Sequence, residues 1–190
     1  MVTPPGMPLP RTWAHRDTIE VARSLLGQHL ACLNEEGWRV GRIVETEAYL
    51  GPHDLACHSA KGKTPRTSVM FGPPGHAYVY LVYGIHLCVN VVTGDGAAVL
   101  LRAVEPAEGV GRADGPGRLT KALGITLRHN GHPLDTPPLL LLEGEVPLPP
   151  DIARGPRVGV DYAGAYWARR ALRFWVKESR FVSRSPRRAR

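Results

Sequence analysis

Residues 77–104 read AYVYLVYGIHLCVNVVTGDGAAVLLRAV. Three runs rich in β-branched, aromatic and other apolar residues, Ala77–Val82, Leu87–Val92 and Ala97–Val104, are separated by short stretches that contain glycine. Such runs broken by Gly-bearing turns predict strands joined by hairpins. The strands are apolar on both faces, so most of this meander should be buried. Two residues stand out against it. Asn90 would be a buried amide, and leaving it unpaired costs roughly 1–3 kcal/mol. Tyr83 stands beside Gly84 at the predicted tip, where an aromatic ring has little to pack on.

The rest of the chain extends the pattern. Asp17-Thr18-Ile19-Glu20 reads as a capping box with Asp in the capping position, and Ile19, Ala22, Leu25 and Leu26 follow at helical spacing until Gly27. His29–Leu33 and Trp38–Tyr49 predict a further hairpin about Asn34-Glu35-Glu36-Gly37. Leu50–Gly75 and Thr126–Pro138 read as loops. Gly115-Pro116-Gly117 opens a short helix through Leu123, stopped by Gly124, and Leu139–Leu142 and Leu172–Val176 predict two later strands. Antiparallel strands with few helices and no dividing linker give an α+β fold in a single domain over residues 1–190, with 1–12 and 181–190 as flexible ends.

Hydrophobic residues make up 43% of the 190, which excludes a disordered chain. Lys plus Arg outnumber Asp plus Glu by 24 to 17, a net charge of +7 that favours an anionic partner such as nucleic acid. The three cysteines are widely spaced and form no C-x-x-C, which fits a reducing cytoplasm better than a disulfide framework. No apolar stretch is long enough for a bilayer, and no membrane partner is expected.

Candidate chemistry collects in Val44–Arg66, VETEAYLGPHDLACHSAKGKTPR. Side chains alternate across a strand, so Ile43, Glu45, Glu47 and Tyr49 should share one face. On periodicity alone that face could simply be the wet side of an antiparallel sheet. The tyrosines and Asn90 of the second hairpin favour a functional site instead.

The blocks VETEAYLGPHDLACHS, TPR, YVYLVYG, LCVNVV, GDGAAVLLRAVEP and RVGVDYAG resemble, in order, the signature blocks of the 3-methyladenine (alkyladenine) DNA glycosylase family. The similarity runs from about Ala22 to Val176. It implies a curved antiparallel sheet with a protruding β-hairpin, distinct from helix-hairpin-helix glycosylases, and an enzyme that excises damaged purines from duplex DNA without a cofactor. By this resemblance Glu47 is the general base that activates water, Arg102 helps hold that water, and the carbonyl of Val160 is its third contact. Tyr49, His58 and Tyr80 are walls of a base pocket, Asn90 its polar filter, and Tyr83 the wedge that fills the gap left by a flipped base. Lys61, Lys63, Arg66, Arg118 and Lys121 are candidates for phosphate contacts.

The physics agrees with these roles. A base in a duplex hides its glycosidic bond, so the nucleotide must rotate out, at a few kcal/mol. Base–aromatic stacking returns roughly 1–3 kcal/mol per base, and a carboxylate near the sugar can stabilise developing positive charge. For Asn90 to line the pocket beside Tyr80, a loop of Gly84-Ile85-His86 should pair the two directly; a one-residue slip would turn Asn90 away.

The chain departs from the family pattern at His53, Leu55 and His86. Glu45 reads as structural, Tyr78 as sheet packing, and His53, His58, His129 and His132 as ordinary histidines, since no H-E-x-x-H or cysteine pair supports a metal. A monomer acting on DNA in a bacterial cytoplasm is expected. The competing readings are a non-catalytic nucleic-acid-binding module and a metal-dependent nuclease built on Glu45, Glu47 and Asp54.

Overall fold

The two hairpins read from residues 77–104 form the outer part of the sheet. In the computed structural model, which describes residues 3–183, β3 (Ala77–Val82) pairs with β4 (His86–Gly94), and β4 pairs with β5 (Ala97–Pro106), all antiparallel. Each turn places two successive residues at positive φ: Tyr83 (51°) with Gly84 (73°), and Asp95 (51°) with Gly96 (79°). Mirror-image turns of this kind match the twist of the flanking strands, and glycine takes them without a Cβ clash.

The α1 helix (Thr18–Ser24) begins where the capping box predicts. The Asp17 carboxylate accepts the N–H groups of Ile19 (2.9 Å) and Glu20 (3.2 Å). β1 (His29–Asn34) and β2 (Gly37–Tyr49) follow, and β2 pairs with both β1 and β5. The helix α2 (Pro116–Leu123) ends at Gly124 in the left-handed region. Its buried Leu119 and Leu123 join Val21, Ala22, Leu25 and Leu26 of the α1 region in one core against the sheet.

The sheet continues through β7 (Leu139–Leu142) to β6 (Asp135–Thr136), giving the order β3-β4-β5-β2-β1-β7-β6. β9 (Arg173–Val176) pairs with the C-terminal half of β2, and β8 (Ile152–Gly155) pairs with β9. The two-residue β6, β8 and a short helix α3 (Gly164–Arg169) lie in stretches with no sequence periodicity to reveal them. Among the described residues all strand pairs are antiparallel in one curved sheet, and the fold is α+β. Both expected flexible ends are held in part: Pro8 and Leu9 bond to β7, and Ser183 is buried. Residues 184–190 lie outside the described residues.

β2 and β5 carry two offsetting irregularities. Ile43 pairs with Val104 and Glu45 with Ala103, leaving Val44 extra on β2; Glu45 to Thr46 then spans Ala103 to Leu101, leaving Arg102 extra on β5. Register is restored beyond them. Bulges re-aim side chains, and here the expected alternation fails: Ile43 packs in the main core, while Glu45 and Glu47 face Arg102.

Candidate active site

One row of directly paired residues crosses five strands: Tyr78 on β3, Asn90 on β4, Leu100 on β5, Glu47 on β2 and Arg173 on β9. Directly opposed residues share a face, so Glu47, Asn90 and Tyr78 look out on the same side of the sheet. Tyr49 and Tyr80 join them by alternation. The opposite face belongs to the main core, where the Thr46 hydroxyl donates to the Ala22 carbonyl of α1 (2.8 Å).

This face is not a wet one. Glu45 and Glu47 are fully buried. A buried carboxylate needs donors or a cation beside it, and Glu47 has three partners. Tyr49 donates its hydroxyl to Oε2 (2.8 Å), the Val158 N–H donates to Oε1 (2.7 Å), and Arg102 Nη1 lies 3.4 Å from Oε1. Burial, and after it the Glu47 charge, pushes the Tyr49 phenol well above its ordinary value, so it stays a donor. Val160, two residues beyond Val158, is buried, and its carbonyl accepts the Ala163 N–H (3.0 Å) at the start of a short 3₁₀ turn. In this segment the contact to Glu47 is made by Val158.

Beside Glu47 the face opens into a cleft of about 340 Å³, its open mouth included, lined among others by Tyr49, His58, Tyr78, Tyr80, Asn90 and Tyr162. The walls are rings: His58 packs on Tyr80 with centroids 4.5 Å apart, and Tyr80 on Tyr78 at 5.2 Å. His58 Nδ1 lies 3.0 Å from the Tyr78 hydroxyl. Burial, helped by Arg66 and Lys61, pulls the His58 imidazole down to about 4, so the ring is neutral near pH 7. Four expected wall and filter residues, Tyr49, His58, Tyr80 and Asn90, therefore meet at one cleft.

Two expectations need correction. Asn90 pairs with Tyr78, and Tyr80 pairs with Cys88, because the loop is Tyr83-Gly84-Ile85, closed by Val82 opposite His86. The Ile85 N–H bonds the Val82 carbonyl (3.1 Å), which the positive φ at Tyr83 permits. The offset is two residues, so Asn90 keeps its face, and its amide donates to the Tyr78 carbonyl (3.0 Å). Tyr78 is thus more than sheet packing, since it lines the cleft and holds His58.

Tyr83 projects from the hairpin tip at 92% exposure, with Ile85 exposed beside it. Lys61, Lys63 and Lys121 are exposed. Arg66 donates to the Leu81 carbonyl (3.2 Å) and lies over the Tyr80 ring at 5.4 Å, tying the basic loop to the hairpin. Arg118 shares Asp114 with Arg112.

Sequence reading missed the pair that braces the site. Arg157 and Asp54, both with fully buried side chains, form a two-pronged ion pair at 2.5 and 2.9 Å. Arg157 also donates to the Ala48 carbonyl (2.9 Å) and lies 4.6 Å from the Tyr49 ring centre. Hydrogen bonds from Arg157 and from the Leu50 and Ala56 N–H groups hold the Asp54 carboxyl below its ordinary value although burial opposes them. Asp54 is thereby committed to Arg157, and among the described residues no group of three or more His, Cys, Asp or Glu could hold a metal ion. Both residues lie inside blocks already singled out, PHDLACHS and RVGVDYAG, but their pairing spans 103 positions.

A family model described as methylpurine-DNA glycosylase matches residues 12–180. The chain belongs to this family. It is 59% identical over 187 residues to a protein of Myxococcus xanthus (strain DK1622), covering 94% of each chain. It is 49% identical to one of Legionella pneumophila (strain Corby), over 93% of this chain and 98% of the relative. A third, from Anaeromyxobacter dehalogenans (strain 2CP-1), is 51% identical over 95% of this chain and 87% of the relative. All three are named as candidate 3-methyladenine DNA glycosylases. No helix among the described residues is long and apolar enough to cross a membrane.

Proposed function

We propose that the protein is a monofunctional DNA glycosylase that flips damaged purines, alkylated or deaminated, out of duplex DNA and hydrolyses the N-glycosidic bond to leave an abasic site. The observation that carries this reading is the juxtaposition of a buried, arginine-linked carboxylate, Glu47, with a narrow aromatic cleft on the same sheet face. Tyr83 enters the duplex and occupies the gap, while the extruded base lies among Tyr49, His58 and Tyr80. The neutral His58 ring adds no charge to repel a cationic alkylpurine. Asn90, fixed by the Tyr78 carbonyl, presents its amide to the base edge and excludes a purine with a 2-amino group there.

As the bond from C1′ to the base nitrogen breaks, the electron pair leaves with the base and positive charge develops on the sugar. Glu47 stabilises that charge and takes a proton from the water whose oxygen bonds to C1′. Arg102 and the Val160 carbonyl orient that water. A strand-cutting mechanism through a lysine Schiff base would need an amine at the site, whereas Lys61, Lys63, Lys121 and Lys177 are all exposed. Lys61, Lys63, Arg66, Arg118 and Lys121 supply phosphate contacts, a single chain carries every part, and the three free cysteines suit action in the cytoplasm.

The test is incubation with duplexes carrying 3-methyladenine or hypoxanthine, with detection of free base and of strand breaks. Free base with intact strands is expected, in chelator as well as without it. Glu47→Gln should lower single-turnover release by about 10²–10⁴-fold while binding persists. Release by Glu47→Gln within a few-fold of the parent would refute the assignment.

A further inference from the structure

A second buried carboxylate, Glu45, stands two residues before Glu47 and accepts four hydrogen bonds. Arg102 Nε (3.0 Å), Arg173 Nη1 (3.2 Å) and Ser183 Oγ (2.9 Å) donate to Oε1, and the Ser183 N–H donates to Oε2 (2.7 Å). Ser183 Oγ in turn accepts from Arg102 Nη2 (3.1 Å). Arg102 is therefore gripped at two of its three nitrogens, and the third, Nη1, is the one beside Glu47. The β5 irregularity turns Arg102 toward the carboxylates, but the aim of its long side chain is left to its partners. A long guanidinium side chain has many rotamers open to it, so something must hold it. The grip comes from far along the chain: after β9 the backbone turns back through Ser179–Val182, and Ser183, 8% exposed, reaches Glu45 across 138 positions.

We infer that Ser183 is a positioning residue: the C-terminal segment delivers it to Glu45 and Arg102, and the three act as one unit that keeps Arg102 Nη1 aimed at Glu47. Glu45 then belongs to this unit, with all four of its bonds to Arg102, Arg173 and Ser183, whereas Glu47 is the carboxylate bonded to Tyr49 of the cleft wall. The inference rests on the proposed role of Glu47, and the experiment separates the two. Ser183→Ala keeps the backbone N–H to Glu45 and the direct Arg102 Nε bond to Glu45, and removes only the hydroxyl that bonds both Glu45 Oε1 and Arg102 Nη2. Single-turnover base release should fall by up to about 100-fold, the scale of a small misplacement at a reacting centre, with affinity for the lesion duplex within about twofold of the parent. Ser183→Thr, which retains a hydroxyl, should recover most of the rate. In an Arg102→Ala background Ser183→Ala should have no further effect, because the two act in series. A merely structural serine would give additive losses, or equal losses in the Ala and Thr variants, and either result overturns the inference, as does parental turnover by Ser183→Ala. If Ser183→Ala does not fold, Ser183→Cys against Ser183→Thr reads the same hydroxyl: the thiol should be the slower, and equal rates overturn the inference. A parent that releases no base would instead overturn the proposed function.

Discussion

Replacing Arg157 tests whether the site is braced from behind as the geometry requires. Arg157→Met keeps much of the packing under Tyr49 but strands Asp54, whose side chain is fully buried and whose cationic partner is this arginine. Breaking a buried ion pair from one side costs roughly 3–5 kcal/mol, because the remaining charge is uncompensated. For a domain of this size each kcal/mol moves the melting temperature by about 2–4 °C, so a drop of roughly 6–20 °C is expected. Replacing both partners, Asp54→Asn with Arg157→Met, leaves no stranded charge and should recover a large part of the loss. Base release should suffer in both variants, since the segment that carries the Val158 N–H to Glu47 loses its anchor to Ala48 and Asp54. The assays are thermal unfolding of the parent, the two single variants and the double, followed by single-turnover release at a temperature where all are folded. A double variant as unstable as the sum of the singles would show that the pair is not coupled and would refute the reasoning.

Tyr83→Ala should weaken binding to a lesion duplex by about 5- to 150-fold, the equivalent of roughly 1–3 kcal/mol of stacking, and weaken binding to undamaged duplex much less; equal losses on both would mean Tyr83 is no wedge. His58 predicts a pH effect on stability. Its value is lowered on folding from 6.5 to about 4, so the unfolded chain binds the proton more tightly, and the stability is complete above about pH 6.5 and lost progressively as pH falls toward 4. A displacement of that size is worth at most about 3 kcal/mol, and partial exposure of the ring reduces it to about 1–2 kcal/mol. Denaturant midpoints at pH 7 and pH 4.5 should therefore converge in His58→Gln; an unchanged pH slope in that variant would remove His58 as the cause.

The strands were legible where composition and turn chemistry coincide. Ala77–Val82 is read with its structural bounds, and the glycines at 84, 94 and 96 mark both turns. The register of that hairpin was not. Two three-residue loops, offset by one position, both place Asn90 on the face of Tyr80, and choosing between them depends on Tyr83 adopting a positive φ that non-glycine residues rarely take. The carboxylates of VETEAY were visible, but the irregularity that turns Arg102 toward them lies inside an apolar run with no Gly or Pro to announce it. The pairs Asp54–Arg157 and Glu45–Ser183 close over more than a hundred positions, and charged residues scattered along a basic chain give no local sign of which will be buried.

That burial also decides where the net charge can act. Arg102, Arg157 and Arg173 have side chains at most 13% exposed, and they face Glu45, Glu47 and Asp54, which are fully buried. Three interior cations opposed by three interior anions cancel, so the surplus of +7 is carried by the rest of the chain. On the surface, Arg112 and Arg118 converge on the single Asp114, which leaves Arg118 with less charge to offer a phosphate than the exposed Lys61, Lys63 and Lys121. Arg66 bonds the hairpin strand that leads to Tyr83 while its guanidinium lies over Tyr80. The basic loop, the hairpin tip and a wall of the cleft are thus physically joined. Under the proposed function, a DNA strand gripped at Lys61–Arg66 would be held by the loop that is bonded to the hairpin carrying Tyr80 and Tyr83, so backbone binding and base extrusion would draw on one connected unit.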